Sequence, residues 1–321
     1  MSGALLEVVN LRTAFAIGGR SVEAVRGVSF SIAPGEVLGL IGESGSGKTV
    51  TGLSLLRLLP EHASMTADAL RFRGRDLIAL RNDAFRALQG VALAMIFQDP
   101  VGSFNPAKTI AWHLREAIAR RAPQDRSGWA AEAQAILREV GIRAPERALA
   151  SYPHQLSGGM LQRVLIAMVV LLRPAFIIAD EPTTNLDNLI ERQILALIRA
   201  QQKKLGASVL FVTHDLAIAA EICDRIAVMY AGEIVEIGPA REVLERPRHP
   251  YAKGLLETST SLQRRDDYLH ELPGEPGGRA VAEGCCFVAR CPVAMPACRA
   301  TRPELAGVGT DHVSRCLLHV A

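Results

Sequence analysis

Gly42-Glu43-Ser44-Gly45-Ser46-Gly47-Lys48-Thr49 decides how this chain is read. The stretch fits the phosphate-loop pattern G-x-x-x-x-G-K-[ST], in which glycines let backbone N–H groups converge on phosphate oxygens. Val37-Leu38-Gly39-Leu40-Ile41 runs into it as a short apolar segment, as expected of a buried parallel strand. Thr49 to Leu59 continues as a helix expected to stop at Pro60, so its positive end points at the bound phosphates. Lys48 would pair with the β- and γ-phosphates, and Thr49 would give its hydroxyl to Mg²⁺.

Outward from the loop, the chain alternates. Leu5 to Leu11 and Val22 to Ile32 read as strands, as do Phe176-Ile177-Ile178-Ala179 and Val209-Leu210-Phe211-Val212. Helices are expected at Leu189 to Gln202 and Leu216 to Ile222, and Arg225 to Gly238, broken at Ala231-Gly232, reads as a hairpin. The β/α alternation implies a mainly parallel sheet covered on both faces. Between them, from about Asp99 to Tyr152, Ala-rich segments such as Ala111 to Ala119 and Trp129 to Val140 carry helical apolar spacing, as a helical insertion would. After about Pro250 the pattern fades into a loop-rich stretch at Pro273 to Gly278 and then a run of cysteines.

The strand ending in Asp180-Glu181 is the counterpart of the loop. Asp180 would enter the Mg²⁺ shell, and Glu181 stands where a general base could polarise an attacking water. The chain has 321 residues, is 49% hydrophobic and carries a formal charge of only +3, ample for a large core and weak for a nucleic-acid partner. Basic residues such as Arg71, Arg73 and Arg75 are scattered among acids. The N-terminus has no signal-peptide pattern, and the most apolar run, Val164 to Leu172, is far shorter than the roughly 20 residues of a membrane span. A soluble chain is expected, with any membrane role exercised through partners. Five of the six cysteines follow residue 284, which in such a chain favours a metal or cluster site over disulfides. Cys223, on an apolar helix, reads as core.

With Leu156-Ser157-Gly158-Gly159-Met160 added, the chain resembles the ATPase subunits of ABC transporters. The family's elements occur here in order. Phe15 is the candidate for the aromatic ring that stacks on adenine, and Gly42 to Thr49 form the phosphate loop. Gln98, in Ile96-Phe97-Gln98-Asp99-Pro100, matches the glutamine that touches Mg²⁺ and the nucleophilic water. Asn185-Leu186-Asp187 lies where the seam segment belongs, and His214 matches the switch histidine that contacts the γ-phosphate. Ser157, Gly158 and Gly159 open a helix, and the resemblance implies that they cover the ATP held by an opposite subunit. Met160 stands where Gln is usual, and Asn185 where Ala or Ser is common. The implied catalytic set is Glu181, His214, Gln98 and Lys48, with Thr49, Gln98 and Asp180 around Mg²⁺.

Two further stretches are similar to the oligopeptide/dipeptide importers of the family: Asp99 to Pro106, and Arg248-His249-Pro250-Tyr251-Ala252-Lys253-Gly254-Leu255-Leu256 with the Cys-rich tail. The tail matches the family's Gly-Cys-x-Phe-x-x-Arg-Cys at Gly284 to Cys291. Cys285, Cys291, Cys298 and Cys316 would hold a [4Fe–4S] cluster, Zn²⁺ or no metal, with Cys286 a spare thiol. The implied architecture is an ABC ATPase domain over 1–254, with a helical insertion at about 100–160, and a small Cys-rich domain over 255–321. The implied function is ATP-driven closure of two such subunits, powering peptide import. Partners would be two permease subunits, a second ATPase subunit (a sister chain or another copy) and an extracytoplasmic solute-binding protein, at the cytoplasmic face of the membrane. The Asp99 to Ile110 segment would touch the permeases. Rival readings are an ABC ATPase of DNA repair or translation, a P-loop kinase or GTPase, a redox-regulatory ATPase, and an importer of nickel, glutathione or another solute.

Overall fold

The structure, a computed structural model, describes residues 3–123, 128–184, 187–264, 274 and 283–319. Two compact units emerge: Met1–Ala79 with Phe211–Ala321, and Leu80–Leu210.

The first unit opens with β1 (Leu6–Ile17) and β2 (Arg20–Ile32), an antiparallel hairpin turned at Gly18 and Gly19, both at positive φ. Along β1, Leu6, Val8, Leu11 and Thr13 face inward. β3 (Val37–Ile41) is buried at every position and leads through the phosphate loop into α1 (Lys48–Leu55). The helix ends well before Pro60. Arg57 takes a left-handed conformation, φ 50°, while its N–H reaches Ser54 O and the Leu58 N–H reaches Leu53 O. This double closure consumes the last carbonyls and stops the helix without glycine or proline. β4 (Ala63–Thr66), β5 (Ala69–Phe72) and β6 (Arg75–Asp76) complete an antiparallel sheet in the order β2-β1-β5-β6, with β4 also on β1.

The second unit holds α2 (Asn82–Leu88), β7 (Leu93–Ile96), α3 (Ile110–Arg121), α4 (Trp129–Glu139), α5 (Pro145–Ala150), α6 (Gly158–Leu172), β8 (Phe176–Asp180) and α7 (Asn188–Leu205). β7 and β8 pair in parallel, Leu93 with Phe176 through Ile96 with Ala179. The Ala-rich stretch from about Asp99 to Tyr152, expected to be helical, holds α3, α4 and α5, and α6 starts beyond it. In α3 the buried residues Ile110, His113, Leu114, Ala117 and Ile118 follow one helical face, and Thr109 caps the start by accepting from the Trp112 N–H. α6 is buried almost all round, as its unbroken apolar run demands.

The chain passes back to the first unit within β9 (Ser208–Thr213). There follow α8 (Leu216–Ile222), β10 (Arg225–Tyr230), β11 (Glu233–Pro239), α9 (Ala240–Glu245), α10 (Pro250–Arg264), α11 (Ala297–Ala300), β12 (Ala306–Gly309) and β13 (His312–Ser314). Within this unit the sheet order is β12-β13-β11-β10-β3, with β10 parallel to β3 and the other neighbours antiparallel. The β10–β11 turn is Ala231-Gly232, both at positive φ, as the sequence break there suggests. Cys223 is buried against Gly39, where a Cβ would stand 2.7 Å from its sulfur. Pro273 to Gly278, apart from Gly274, lies outside the described residues.

The described tail is built into the first unit rather than forming a compact unit of its own. Glu236, fully buried, accepts from the N–H groups of Arg248 (2.9 Å) and His249 (2.6 Å) and lies 2.7 Å from His312 Nε2. Glu233, 1% exposed, faces Arg26 at 3.2 Å, Arg302 at 3.1 Å and Arg315 at 3.8 Å. A buried carboxylate is tolerated only when paired and hydrogen-bonded, and His312, Arg302 and Arg315, all from the tail, supply much of that pairing. Among the described residues no helix is long and apolar enough to cross a membrane.

Candidate nucleotide site

The phosphate loop sits where its glycines are required. A Cβ on Gly42 would lie 2.1 Å from Met229 O, so no side chain fits there. Gly47 has φ 103°, and a Cβ on it would lie 2.4 Å from Ala24 O. The Gly232 N–H donates to Ser46 O (2.9 Å), fastening the loop to the β10–β11 turn. Lys48 is 4% exposed, and its Nζ donates to Gly42 O (2.7 Å) and Glu43 O (2.9 Å), so the ammonium lies inside the loop it closes. α1 starts at Lys48 without a side-chain cap and without an acidic residue in its first turn. N–H groups at such a start suit an anion. The donor chemistry and the absence of room for side chains fit nucleotide phosphates, and Thr49 follows directly on the same turn.

Glu43 has partners that the sequence did not announce. Its N–H donates to Tyr251 Oη (2.9 Å), and its carboxylate takes two bonds from Arg290, at 2.7 and 3.0 Å. Elsewhere in this unit, Phe15 lies half-buried on β1 with its ring 5.8 Å from that of His62. His214 is exposed at the end of β9, and the next residue, Asp215, caps α8 through the N–H groups of Ala217 and Ile218.

In the second unit, β8 ends in Asp180, 2% exposed, and the chain then turns sharply at Glu181, φ 42°. A left-handed conformation at a non-glycine residue costs about 1–3 kcal/mol and persists only where its surroundings enforce it. Here they do so around the carboxylate: Gln98 Nε2 donates to Glu181 Oε2 (3.2 Å), and Thr184 Oγ1 donates to the same oxygen (2.9 Å). Gln98 and Glu181, 83 residues apart, are thus brought within hydrogen-bond distance of each other. Thr184 and Gln162 were not in that reading. Gln162, 2% exposed on α6, donates to Pro182 O (2.7 Å) and ties the Ser157 helix to the turn carrying Glu181.

Ser157 is exposed and accepts from the Met160 N–H (3.3 Å), so it is the cap of α6, with Gly158 and Gly159 as the helix's first residues. α6 also has no acidic residue in its first turn. Asp187 caps α7 through the N–H groups of Leu189 and Ile190, whereas Asn185 and Leu186 lie outside the described residues. The segment after Gln98 is a turn stiffened by its own bonds. Asp99 Oδ1 accepts from the Val101 N–H, and Ser103 Oγ donates to Asp99 O. His113 Nδ1–H donates to Thr109 O (2.8 Å), leaving Nε2 to accept from the Asn105 N–H (3.0 Å). Burial holds His113 below its usual pKa, consistent with that neutral tautomer. Val101 stands 59% exposed at the tip.

Close backbone packing joins the segments that carry Cys285 and Cys298. The Cys285 N–H donates to Cys298 O (2.8 Å), and a Cβ on Gly284 would lie 2.6 Å from the carbonyls of Cys298 and Arg299. Burial raises the pKa values of Cys291 and Cys316, and charge on Cys285 and Cys298 pushes the same way. The donor chemistry suits a soft metal, yet among the described residues no three His, Cys, Asp or Glu side chains are gathered to hold one. The expected cluster or Zn²⁺ therefore finds no assembled donor group. The Cys285 thiol is instead hydrogen-bonded to Cys286 and His249, which favours its ionised form. Cys286, read from the sequence as spare, is buried, and its pKa is pushed up by Cys285 and by that burial.

Residues 25–184 match the family described as ABC transporter, and residues 235–298 match the oligopeptide/dipeptide transporter C-terminal region. A putative peptide import ATP-binding protein of Brucella abortus is 43% identical over 326 residues, spanning 98% of this chain and 96% of its own length. The dipeptide transport ATP-binding protein of Escherichia coli is 41% identical over 314 residues, spanning 98% and 96%. Among solved structures, an ATP-binding cassette dimer in a post-hydrolysis state with ADP and phosphate superimposes with a TM-score of 0.66 at 25% identity, covering 74% of this chain and 99% of its own. An ATP-binding subunit of an ABC transporter gives 0.62 at 28% identity, covering 80% and 99%. With its phosphate loop, its strand-end Asp-Glu pair and relatives above 40% identity over nearly their whole length, the chain belongs to the ABC transporter ATP-binding family, in the branch that carries the oligopeptide/dipeptide C-terminal region.

Proposed function

We propose that this chain binds and hydrolyses ATP to power a peptide-class importer, as a peripheral subunit at the cytoplasmic face of the membrane. The observation that carries the reading is the Glu181 carboxylate, held by Gln98 and Thr184 at the end of the strand that delivers buried Asp180. A carboxylate oriented in this way can take a proton from an attacking water. Lys48 and the loop from Gly42 through Ser44, Gly45, Ser46 and Gly47 to Thr49 would hold the phosphates, and Phe15 would stack on adenine. Asp180, Thr49 and Gln98 would face Mg²⁺, which neutralises charge on the phosphates when bound. His214 would contact the γ-phosphate. Ser157, Gly158 and Gly159 would cover the nucleotide of a second ATPase subunit, so that hydrolysis requires closure of two cassettes.

Peptide as the solute class is supported by the names of the relatives and by the matched C-terminal region. The solute itself would be chosen by an extracytoplasmic binding protein and two permease subunits. The stiff turn with exposed Val101 is suited to press on a permease. Cys285, Cys291, Cys298 and Cys316 are proposed as a structural four-thiolate set for an iron–sulfur cluster, with Zn²⁺ as the alternative, on their sequence pattern alone, since the described residues gather no donor group. No catalytic step passes through them.

The test is anaerobic affinity purification of the chain from detergent-solubilised native membranes, with mass spectrometry of the companions and metal analysis of the same preparation. Two multi-span permeases and a second cassette ATPase are expected, with about four iron atoms per chain if the set holds a cubane cluster. Recovery only with ribosomal or DNA-repair proteins would overturn the transport role. A preparation without iron would remove the cluster.

A further inference from the structure

The P-loop is usually treated as a self-contained cradle, but here its second residue is held from outside. Glu43 donates its N–H to Tyr251 Oη and gives both carboxylate oxygens to Arg290. Tyr251 opens α10 and is fully buried; Arg290 belongs to the cysteine segment, one residue before Cys291, and its side chain is 4% exposed. Both partners are themselves fixed. Tyr251 packs its ring 4.7 Å from Tyr230 and 5.3 Å from Phe287, and Phe287 stands edge-on to Tyr230 at 5.1 Å. The Arg290 guanidinium lies over the Tyr230 ring at 5.7 Å. Phe287 and Arg290 come from the same short Cys-bearing segment, so that segment inserts one anchor into the aromatic cluster and aims the other at the loop.

The consequence for Glu43 is specific. Burial keeps the Tyr251 phenol protonated far above its ordinary range, so its oxygen stays a neutral acceptor for the Glu43 N–H. That N–H therefore points at α10, while the side chain is clamped in a planar two-bond pair with Arg290. With its backbone and its side chain both held, Glu43 fixes the direction in which the chain leaves β3. The same residue's carbonyl accepts from Lys48 Nζ (2.9 Å) and from the Ser46 N–H (3.2 Å). A rotation of Glu43 would therefore displace the loop's lysine and the peptide at Ser46 together.

We propose that Arg290 and Tyr251 are positioning residues for nucleotide binding: the C-terminal Cys segment acts through Glu43 to hold the phosphate loop in its binding conformation. This rests on the nucleotide reading of the loop and requires nothing of the transport reading. Such an indirect contact changes how well ATP is bound rather than the chemistry that follows, since neither residue reaches the reacting atoms.

The full chain tests this through the KM and kcat of its ATP hydrolysis, the affinity for a fluorescent ATP analogue, and the melting temperature without nucleotide. Arg290→Ala raises KM and Kd about five- to tenfold, within the range for coupling through contiguous contacts, while kcat changes less than about twofold. Arg290→Lys, which keeps the charge without the two-bond fork, recovers part of the affinity. Glu43→Gln keeps the loop's volume and breaks the pair from the other side, so it carries the test if Arg290→Ala fails to fold; the double variant binds no worse than the weaker single. Arg290→Ala or Glu43→Gln proteins with wild-type KM and a merely lowered melting temperature would make the contact structural and overturn the proposal. A wild-type chain that bound no ATP would instead sink the nucleotide reading beneath it.

Discussion

The phosphate loop and the Ser157-Gly158-Gly159 turn are built alike and finished differently. Each opens a helix, each places glycine at the start, and each helix lacks an acid in its first turn, unlike α4 and α7, which carry Glu132 and Glu191 there. The loop, however, is closed on itself: Lys48 and Ser46 are buried, Gly42 and Gly47 admit no side chain, and Glu43 is clamped by Arg290 and Tyr251. The second turn has no lysine and stands in solvent, its serine spent on capping its own helix. The first is a whole site for an anion. The second offers the helix-end half of one, which makes chemical sense where another subunit brings the phosphate.

The sharpest way to break this contrast is to remove the charge from the completed site. Lys48→Ala lowers kcat/KM for ATP by about 100-fold or more, the scale on which preorganised charge stabilisation is lost, and weakens nucleotide binding with it. Steady-state hydrolysis and equilibrium binding on one preparation check this. If ATP binds the variant as it binds the wild type, the loop is not the cradle.

A smaller effect, of a different kind, is expected at the open turn. Ser157→Arg leaves this chain's own ATP affinity within about twofold, because the residue lies outside the loop that binds it. On the proposed closure of two cassettes, hydrolysis by the assembled transporter falls about tenfold, equivalent to about 1.4 kcal/mol of lost stabilisation at the proposed interface. Equal losses in affinity and turnover would mean that the turn serves the chain's own nucleotide and that the comparison is false.

The same contrast explains what the sequence could reveal. The loop's glycines, lysine and flanking apolar strand are legible because phosphate chemistry demands them at fixed local spacing. The Asp180-Glu181 pair and Gln98 are legible by motif, and the Gln98–Glu181 bond joins two of them. Thr184 and Gln162 escaped because a threonine just after a strand, or a glutamine within a helix, carries no signal until the fold turns it inward. Arg290 and Tyr251 escaped for a stronger reason: they meet Glu43 across 247 and 208 residues of chain, and no local pattern records such a meeting. The tail read as loop-rich and separate because its strands are short. Their reason for joining β11 lies in pairing with buried Glu233 and Glu236, which look like surface acids in the sequence. The end of α1 was misplaced at Pro60 because Arg57, an ordinary helix former, adopts the left-handed cap.

The smallest effect is expected at the far end of the open turn's helix, and it asks whether α6 is braced there as the phosphate loop is braced by Arg290. Arg121 donates to Leu171 O (2.7 Å), in the last turn of α6, and makes a two-bond pair with Glu132 at 2.8 and 2.9 Å. Arg173, the left-handed cap of α6, reaches the same carboxylate at 3.3 Å. The Arg121 bonds hold Glu132 below its ordinary value of 4.5. A carboxyl with a depressed folded-state pKa stabilises the fold above the unfolded value, and that contribution is lost as pH falls through the folded value. Glu132 is 32% exposed on its side chain, so solvent screening limits Glu132→Gln to a loss of about 1 kcal/mol or less. Urea unfolding should separate variant from wild type at neutral pH and bring them together below the ordinary carboxylate range. A difference that persists in acid would mean that Glu132 acts through packing. A difference absent at neutral pH would mean that α6 is held by its apolar burial alone, leaving the phosphate loop as the only one of the two turns whose support depends on charge.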